Sequence, residues 1–387
     1  MNFNKLEKYL DSINLRDEIK GGVAPGSNTV IYIDHKKVFS YSTGYDDIAR
    51  KTRVSPNRFY NIYSCSKITT AVAAMKLVED GILKFDDPVS RYIPAFADIK
   101  VGEFDSSGRL VGTRAPKRPM TVRHLLTMTS GLGYNMRTKA IERVIRETDG
   151  RAPTLKVCEA FAEDPLFFDP GEHYRYSASL DVMGGVIEVA SGMRFADYVT
   201  KNIFHPLGMY NTVYHVRDED IPNLAAQYTY NSKTKEVTEV PATENLHRIG
   251  TEYDGGGAGI ATTTSDYILL LDALANGGVG ANGARIISSY AIDLMRTPAL
   301  TPELNAEYAQ NYNTGYGYAL GVRTCVDRSA SLNLASVGEF GWDGWKMCVA
   351  MVDPKIKMAV FHTENLEGFQ NQIIPRLRNV IYSSLEG

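Results

Sequence analysis

The chain has 387 residues, 44% of them apolar, enough for two domains or one large two-lobed unit with a sizeable core. Its 42 basic and 45 acidic side chains leave a formal charge of -3, and the basic residues are scattered, so nucleic acid is not an expected partner. No stretch approaches the ~18 apolar residues of a membrane span, and MNFNKLEKYLDSINLRDEIK at the start lacks the basic, apolar and small-residue segments of a secretory signal; the expectation is a cytoplasmic protein with no membrane partner.

In chain order, an amphipathic N-terminal helix precedes TVIYIDHKKVFSYSTGYDD, which reads as two β-branched and aromatic strands with a turn at Asp34 to Lys37. Next comes FYNIYSCSKITTAVAAMKLVEDG, Phe59 to Gly81, a helix that opens with Ser64, Cys65, Ser66 and Lys67, is uncharged from Ile68 to Met75, and stops at Gly81. From about Asp86 to Met209 the patterns are mostly helical, as in TVRHLLTMTS and LDVMGGVIEVAS. A further helix, SDYILLLDALANGG, follows Gly255 to Gly257, a run that lets backbone pass closely or turn tightly. Strand-like runs YGYALGVRTCV, KMCVAMVD and KMAVFHT precede a last helix from about Gln370. Strands at both ends with helices between them predict one antiparallel sheet assembled from the two termini. The predicted division is an α/β domain from 1–84 and 260–387, with a mostly helical domain at 85–259.

Ser64 and Lys67 lie three apart, so on a helix the amine can reach the hydroxyl. A serine hydroxyl is a weak nucleophile until a base takes its proton. Lysine can be that base if burial lowers its pKa from ~10.4 toward ~7–8, and the apolar run Ile68–Met75 offers the burial. A helix N-terminus adds free N–H groups and a positive dipole end. The spacing alone is weak evidence, since Ser232-Lys233-Thr234-Lys235 repeats it in a polar, turn-like segment.

The remaining constellation resembles the penicillin-recognising serine hydrolases: class C β-lactamases, D-alanyl-D-alanine carboxypeptidases and, nearest, the β-lactamase-like carboxylesterases called family VIII esterases. The resemblance runs from about Asn57 to Asn365, through YSCSKITTAVAAMKLVEDGILKFDDPVSRYIP, MTVRHLLTMTSGLGYN, DPGEHYRYSASLDVMGGVIE, IFHPLGMYNT, GGGAGIATTTSDY and FGWDGWKMCVAMVDP. It implies an α+β fold of the β-lactamase/DD-peptidase type, with the site between an antiparallel sheet and a helical lobe. It also implies that Ser64, Lys67 and Tyr176 are catalytic.

The family's Tyr-x-Asn motif falls on Tyr176-Ser177-Ala178; the tyrosine matches, the asparagine does not. The third motif, Lys-Thr-Gly in lactamases and Trp-Gly-Gly or His-x-Gly in many esterase-like members, falls on Trp342-Asp343-Gly344. The cation that helps hold a substrate carboxylate is replaced by an indole, which favours a neutral ester. Asp343 is unusual beside a site that must stabilise negative charge. By the same resemblance the backbone N–H groups of Ser64 and Trp345 form the oxyanion hole, and Tyr134, Tyr253, Trp342, Asp343 and Gly344 contact substrate.

Other signatures fail. Gly278 to Gly283 fits GxGxxG but follows a helix, whereas that fingerprint must follow a strand. There is no G-x-S-x-G elbow. The four cysteines form no CxxC and read as buried free thiols, and the seven histidines form no HExxH or HxxxH pair, so neither metal nor cofactor is implied. The expected function is a carboxylesterase acting through an acyl-enzyme on Ser64, with a small-molecule ester or amide as partner. A β-lactamase, D-Ala-D-Ala carboxypeptidase, amide hydrolase or acyltransferase shares the scaffold, and a non-catalytic module that acylates once is the rival of another class.

Overall fold

Alternating side chains of the strand Gly26–Ile33 (β1) face two different cores, Val30 one way and Ile31 the other, as a sheet covered on both faces requires. The computed structural model describes residues 1–14, 23–311 and 314–386. Its main sheet continues with Lys36–Asp47 (β2), Thr52–Arg53 (β3), Tyr316–Tyr318 (β4), Arg323–Cys325 (β5), Phe340–Gly344 (β6), Cys348–Asp353 (β7) and Met358–Thr363 (β8). The spatial order is β4-β5-β6-β7-β8-β1-β2-β3. The N-terminal hairpin therefore joins the C-terminal strands through β1 and β8, which pair antiparallel from Asn28 opposite Thr363 to Ile33 opposite Met358. This is the expected sheet from both termini.

On one face lie the helices Asn4–Ile13 and Gln370–Ser384. Leu6 and Leu10 of the first meet Ile373, Leu377 and Ile381 of the second over Ile31, Val349 and Met351. On the other face lie Ser66–Glu79, carrying Lys67, and Thr264–Ala275. The helix Ser66–Glu79 is buried all round through Met75, which explains its uncharged Ile68–Met75 run. It stops where foreseen. Gly81 takes φ +73, and the amide of Ile82 reaches back to Leu77 carbonyl at 2.9 Å, a left-handed C-terminal cap.

Between residues 86 and 209 the helices include Lys139–Glu147, Thr154–Phe161 and Ser179–Ser191. A hairpin, Val101–Phe104 with Leu110–Arg114, interrupts them and was not foreseen. Its apolar side chains Phe104, Leu110 and Val111 are exposed, so they produce no core-facing alternation. Gly278–Gly283 follows the helix Thr264–Ala275, as a loop. Cys65, Cys158, Cys325 and Cys348 are buried free thiols. No helix among the described residues is long and apolar enough to cross a membrane.

Candidate active site

The helix expected to begin near Ser64 begins at Ser66; Ser64 sits just ahead, in the 3₁₀ turn Tyr63–Cys65. Tyr63 enters that turn with φ +46, a costly conformation for a side chain of this size. Its hydroxyl bond to Gln227 Oε1 and edge contact with the Trp345 ring, 5.4 Å between centroids, hold it there. The turn also sorts the neighbouring nucleophiles. Cys65 points inward, its Sγ 3.5 Å from Trp342 carbonyl oxygen, and burial pushes its thiol well above the ordinary value. Ser66 Oγ accepts the Ile260 amide at 3.2 Å. Of these three, Ser64 lines the cavity.

Lys67 is completely buried. Its Nζ lies 3.1 Å from Ser64 Oγ, 2.7 Å from Gly257 carbonyl oxygen and 3.3 Å from the Tyr134 hydroxyl. Desolvation pulls its pKa down to about 8, opposed chiefly by the carboxylate of Asp181. The glycine run makes this arrangement possible. A Cβ on Gly257 would stand 2.3 Å from Asp181 Oδ2, and one on Gly256 2.3 Å from Leu180 carbonyl oxygen. Asp181 Oδ1 in turn accepts the Gly257 amide at 3.1 Å and the Tyr253 hydroxyl at 2.7 Å.

Tyr176 donates to Ser64 Oγ at 2.6 Å. Its segment is fixed by a buried hydroxyl chain, Ser130 to Ser179 to Ser177 at 2.7 Å each, and by the Ala178 amide on Gly133 carbonyl at 3.0 Å. The last bond couples the Tyr176 and Tyr134 loops. The Trp342 indole N–H lies 3.3 Å from the Tyr176 oxygen, the two rings stacked at 14°. Burial drives the Tyr176 phenol up, against its hydrogen bonds with Ser64 and Trp342.

The end of β6 forms the opposite wall. A Cβ on Gly344 would stand 2.3 Å from Ile62 carbonyl oxygen, so a bare glycine lets this strand close on the turn that carries Ser64. Trp345, next in the chain, lines the same cavity. Asp343 finds its account here: Oδ1 is 3.1 Å from Arg323 Nη1, compensating a guanidinium that would otherwise be a buried charge.

A cavity of about 350 Å³ thus brings together Ser64, Tyr134, Tyr176, Trp342, Gly344 and Trp345, with Asp343 on the same wall. Tyr253 is not among the residues lining this cavity: it lines a second one with Tyr214 and His215, and its buried hydroxyl donates to Asp181 at 2.7 Å. Sequence reasoning missed three contributors. Asp181 was marked only by being the one charge in the first two turns of SLDVMGGVI, and Arg323 by interrupting an apolar strand. His247 lines both cavities, and burial holds its pKa down to about 4.

The family known as Beta-lactamase matches residues 15–378, and the chain belongs to it. The family unites serine hydrolases and acyltransferases on one fold. The chain is similar to the acyltransferase calJ of Penicillium decumbens, 27% identical over 370 residues spanning 89% of this chain and 84% of calJ. Among solved structures it is similar to EstCE1, a hydrolase with promiscuous acyltransferase activity, with TM-score 0.76, 23% identity and 99% of both chains covered. A mutant of simvastatin synthase (LovD) from Aspergillus terreus gives TM-score 0.79 at 21% identity, over 99% of this chain and 94% of the other. At these identities the two structural matches establish the fold.

Proposed function

We propose that this protein is a carboxylesterase that cleaves small esters through an acyl-enzyme on Ser64. One observation carries the reading: Ser64 Oγ lies between an amine at 3.1 Å and a phenol at 2.6 Å, the amine buried and with its pKa down to about 8. Burial moves the two partners apart, Lys67 toward the neutral amine and Tyr176 away from phenolate. Lys67 is therefore assigned the proton of Ser64 as it attacks, a step of general base catalysis worth about 10²–10⁴ in rate.

The new oxyanion is received by the Ser64 and Trp345 amides, each such donor being worth roughly 10²–10³. Tyr176 then gives its proton to the departing alkoxide and recovers one through Lys67. Water attacks the acyl-Ser64 carbonyl, the same groups work in reverse, and the acid leaves. An alcohol in place of water makes the chain an acyltransferase; the names of calJ and EstCE1 favour keeping that second reading. Trp342 in the place of a carboxylate-binding cation supports esters over β-lactams and peptide C-termini.

The test compares a short-chain p-nitrophenyl ester with a chromogenic cephalosporin, for wild type and Ser64→Ala. Steady ester turnover that disappears in Ser64→Ala is expected. Faster cephalosporin turnover would reverse the substrate order, a burst equal to the enzyme without a steady state would make the protein an acylatable module, and an active alanine variant would remove Ser64 from the reaction.

A further inference from the structure

The cavity around Ser64 has an uneven distribution of charge. Of its lining side chains, Arg323 and Asp343 are the formally charged ones, with His247 kept neutral by burial. The Arg323 side chain is 2% exposed and turned toward carboxylates: Asp343 Oδ1 at 3.1 Å and Glu339 Oε1 at 3.9 Å. Behind them, Arg378 faces the same Glu339 oxygen at 3.9 Å, so the buried cations are matched inside the protein. Lys67 is fully covered. Lys346, 4.9 Å over the Trp345 ring, is committed to Glu367 at 2.9 Å.

The Asp343 side chain, in contrast, is 26% exposed on the cavity wall. Of the two charges lining the cavity, the more exposed is the carboxylate. The aromatic residues Tyr308, Trp342 and Trp345 line the same cavity, and aromatic surroundings favour cations.

We propose that Asp343 is the specificity-determining residue of this site, and that the ester it acts on carries an ammonium group seated between the Asp343 carboxylate and the aromatic wall. The proposal rests on the esterase reading for its reaction. Its electrostatics disfavour acids: a substrate carboxylate would face the more exposed Asp343 carboxylate, with the guanidinium only 2% exposed beside it. Arg323 acts through Asp343, fixing its position from 3.1 Å.

The chain's two tryptophans, Trp342 and Trp345, both line this cavity, so intrinsic fluorescence reports its occupancy without turnover. Three probes of equal length, n-hexylammonium, n-hexanoate and hexan-1-ol, are titrated into wild type and Asp343→Asn. In wild type the ammonium is expected to bind at least about tenfold tighter than the carboxylate, and Asp343→Asn to lose that preference while hexanol binding stays within about twofold. Added salt should weaken only the ammonium, a measurement on wild type alone that decides the matter should the variant fail to fold. Hexanoate binding as tightly as hexylammonium, an unchanged preference in Asp343→Asn, or salt-independent ammonium binding would each overturn the proposal. Because these are binding measurements, an inactive protein that prefers the ammonium would sink the esterase reading alone, and an active esterase without the preference would sink this one alone.

Discussion

Gly344 and Ile62 approach so closely that a Cβ on the glycine would stand 2.3 Å from the isoleucine carbonyl oxygen. The contact sets the separation between the strand end that leads into Trp345 and the turn that carries Ser64. Gly344→Ala should push the two apart, lowering kcat for a p-nitrophenyl ester by about 10²–10³, as for loss of one oxyanion donor. A variant that folds and keeps full kcat would dissociate the Trp345 amide from the reaction.

The pKa of Lys67, lowered from 10.5 to about 8, predicts that kcat/KM for a neutral ester rises with pH through about 8. It also links to stability. Below the folded value both states hold the proton and the folded state bears the full desolvation penalty. Between about 8 and 10.5 the unfolded chain holds more protons, so stability rises with pH and the penalty fades, by about 3 kcal/mol in all. Denaturant unfolding of wild type and Lys67→Met at pH 7 and pH 10 checks this. Wild type should gain on the variant at the higher pH, and parallel behaviour would contradict a buried, shifted amine.

Asp181 is the main group opposing the fall of the Lys67 pKa. Asp181→Asn keeps an oxygen to receive the Gly257 amide and removes the charge. The acid limb of the pH–rate profile should then move below its wild-type position. An upward movement would show that another group controls the limb.

Tyr253→Phe deletes a hydroxyl that reaches Asp181 at 2.7 Å. With its ring buried behind Lys67, the change should cost about 1–3 kcal/mol of stability, for an acceptor left short of a partner. The ranking of short and long acyl chains should not change. A reordered ranking in assays across acyl lengths would return Tyr253 to the substrate pocket.

The parts of this architecture that were legible beforehand are those whose signal is local or carried by a familiar motif. Ser64 and Lys67 are three residues apart, and the apolar run after them announces the burial that shifts the amine. The sheet was readable from β-branched strands at both ends. Tyr176 became visible only by resemblance, because one tyrosine among 23 has no compositional mark. Asp343 looked misplaced because its reason is tertiary: Arg323 lies on a neighbouring strand, and no periodicity links an arginine to a carboxylate there. Which cavity Tyr253 lines was not legible for a related cause, since a residue next to a glycine run can face either side of a thin wall. The hairpin Val101–Phe104 with Leu110–Arg114 was missed because only Val101 enters the core while Phe104, Leu110 and Val111 are exposed.

Cys65 Sγ meets the carbonyl of Trp342 across 277 positions of chain. Contacts of such long range form late, after a costly loop closure. A growing polypeptide would hold its serine and lysine long before the strand that completes their surroundings had left the ribosome. Hydrolytic power should therefore emerge abruptly, at the end of synthesis, and a chain cut short before β8 should be inert however well its helical lobe is formed.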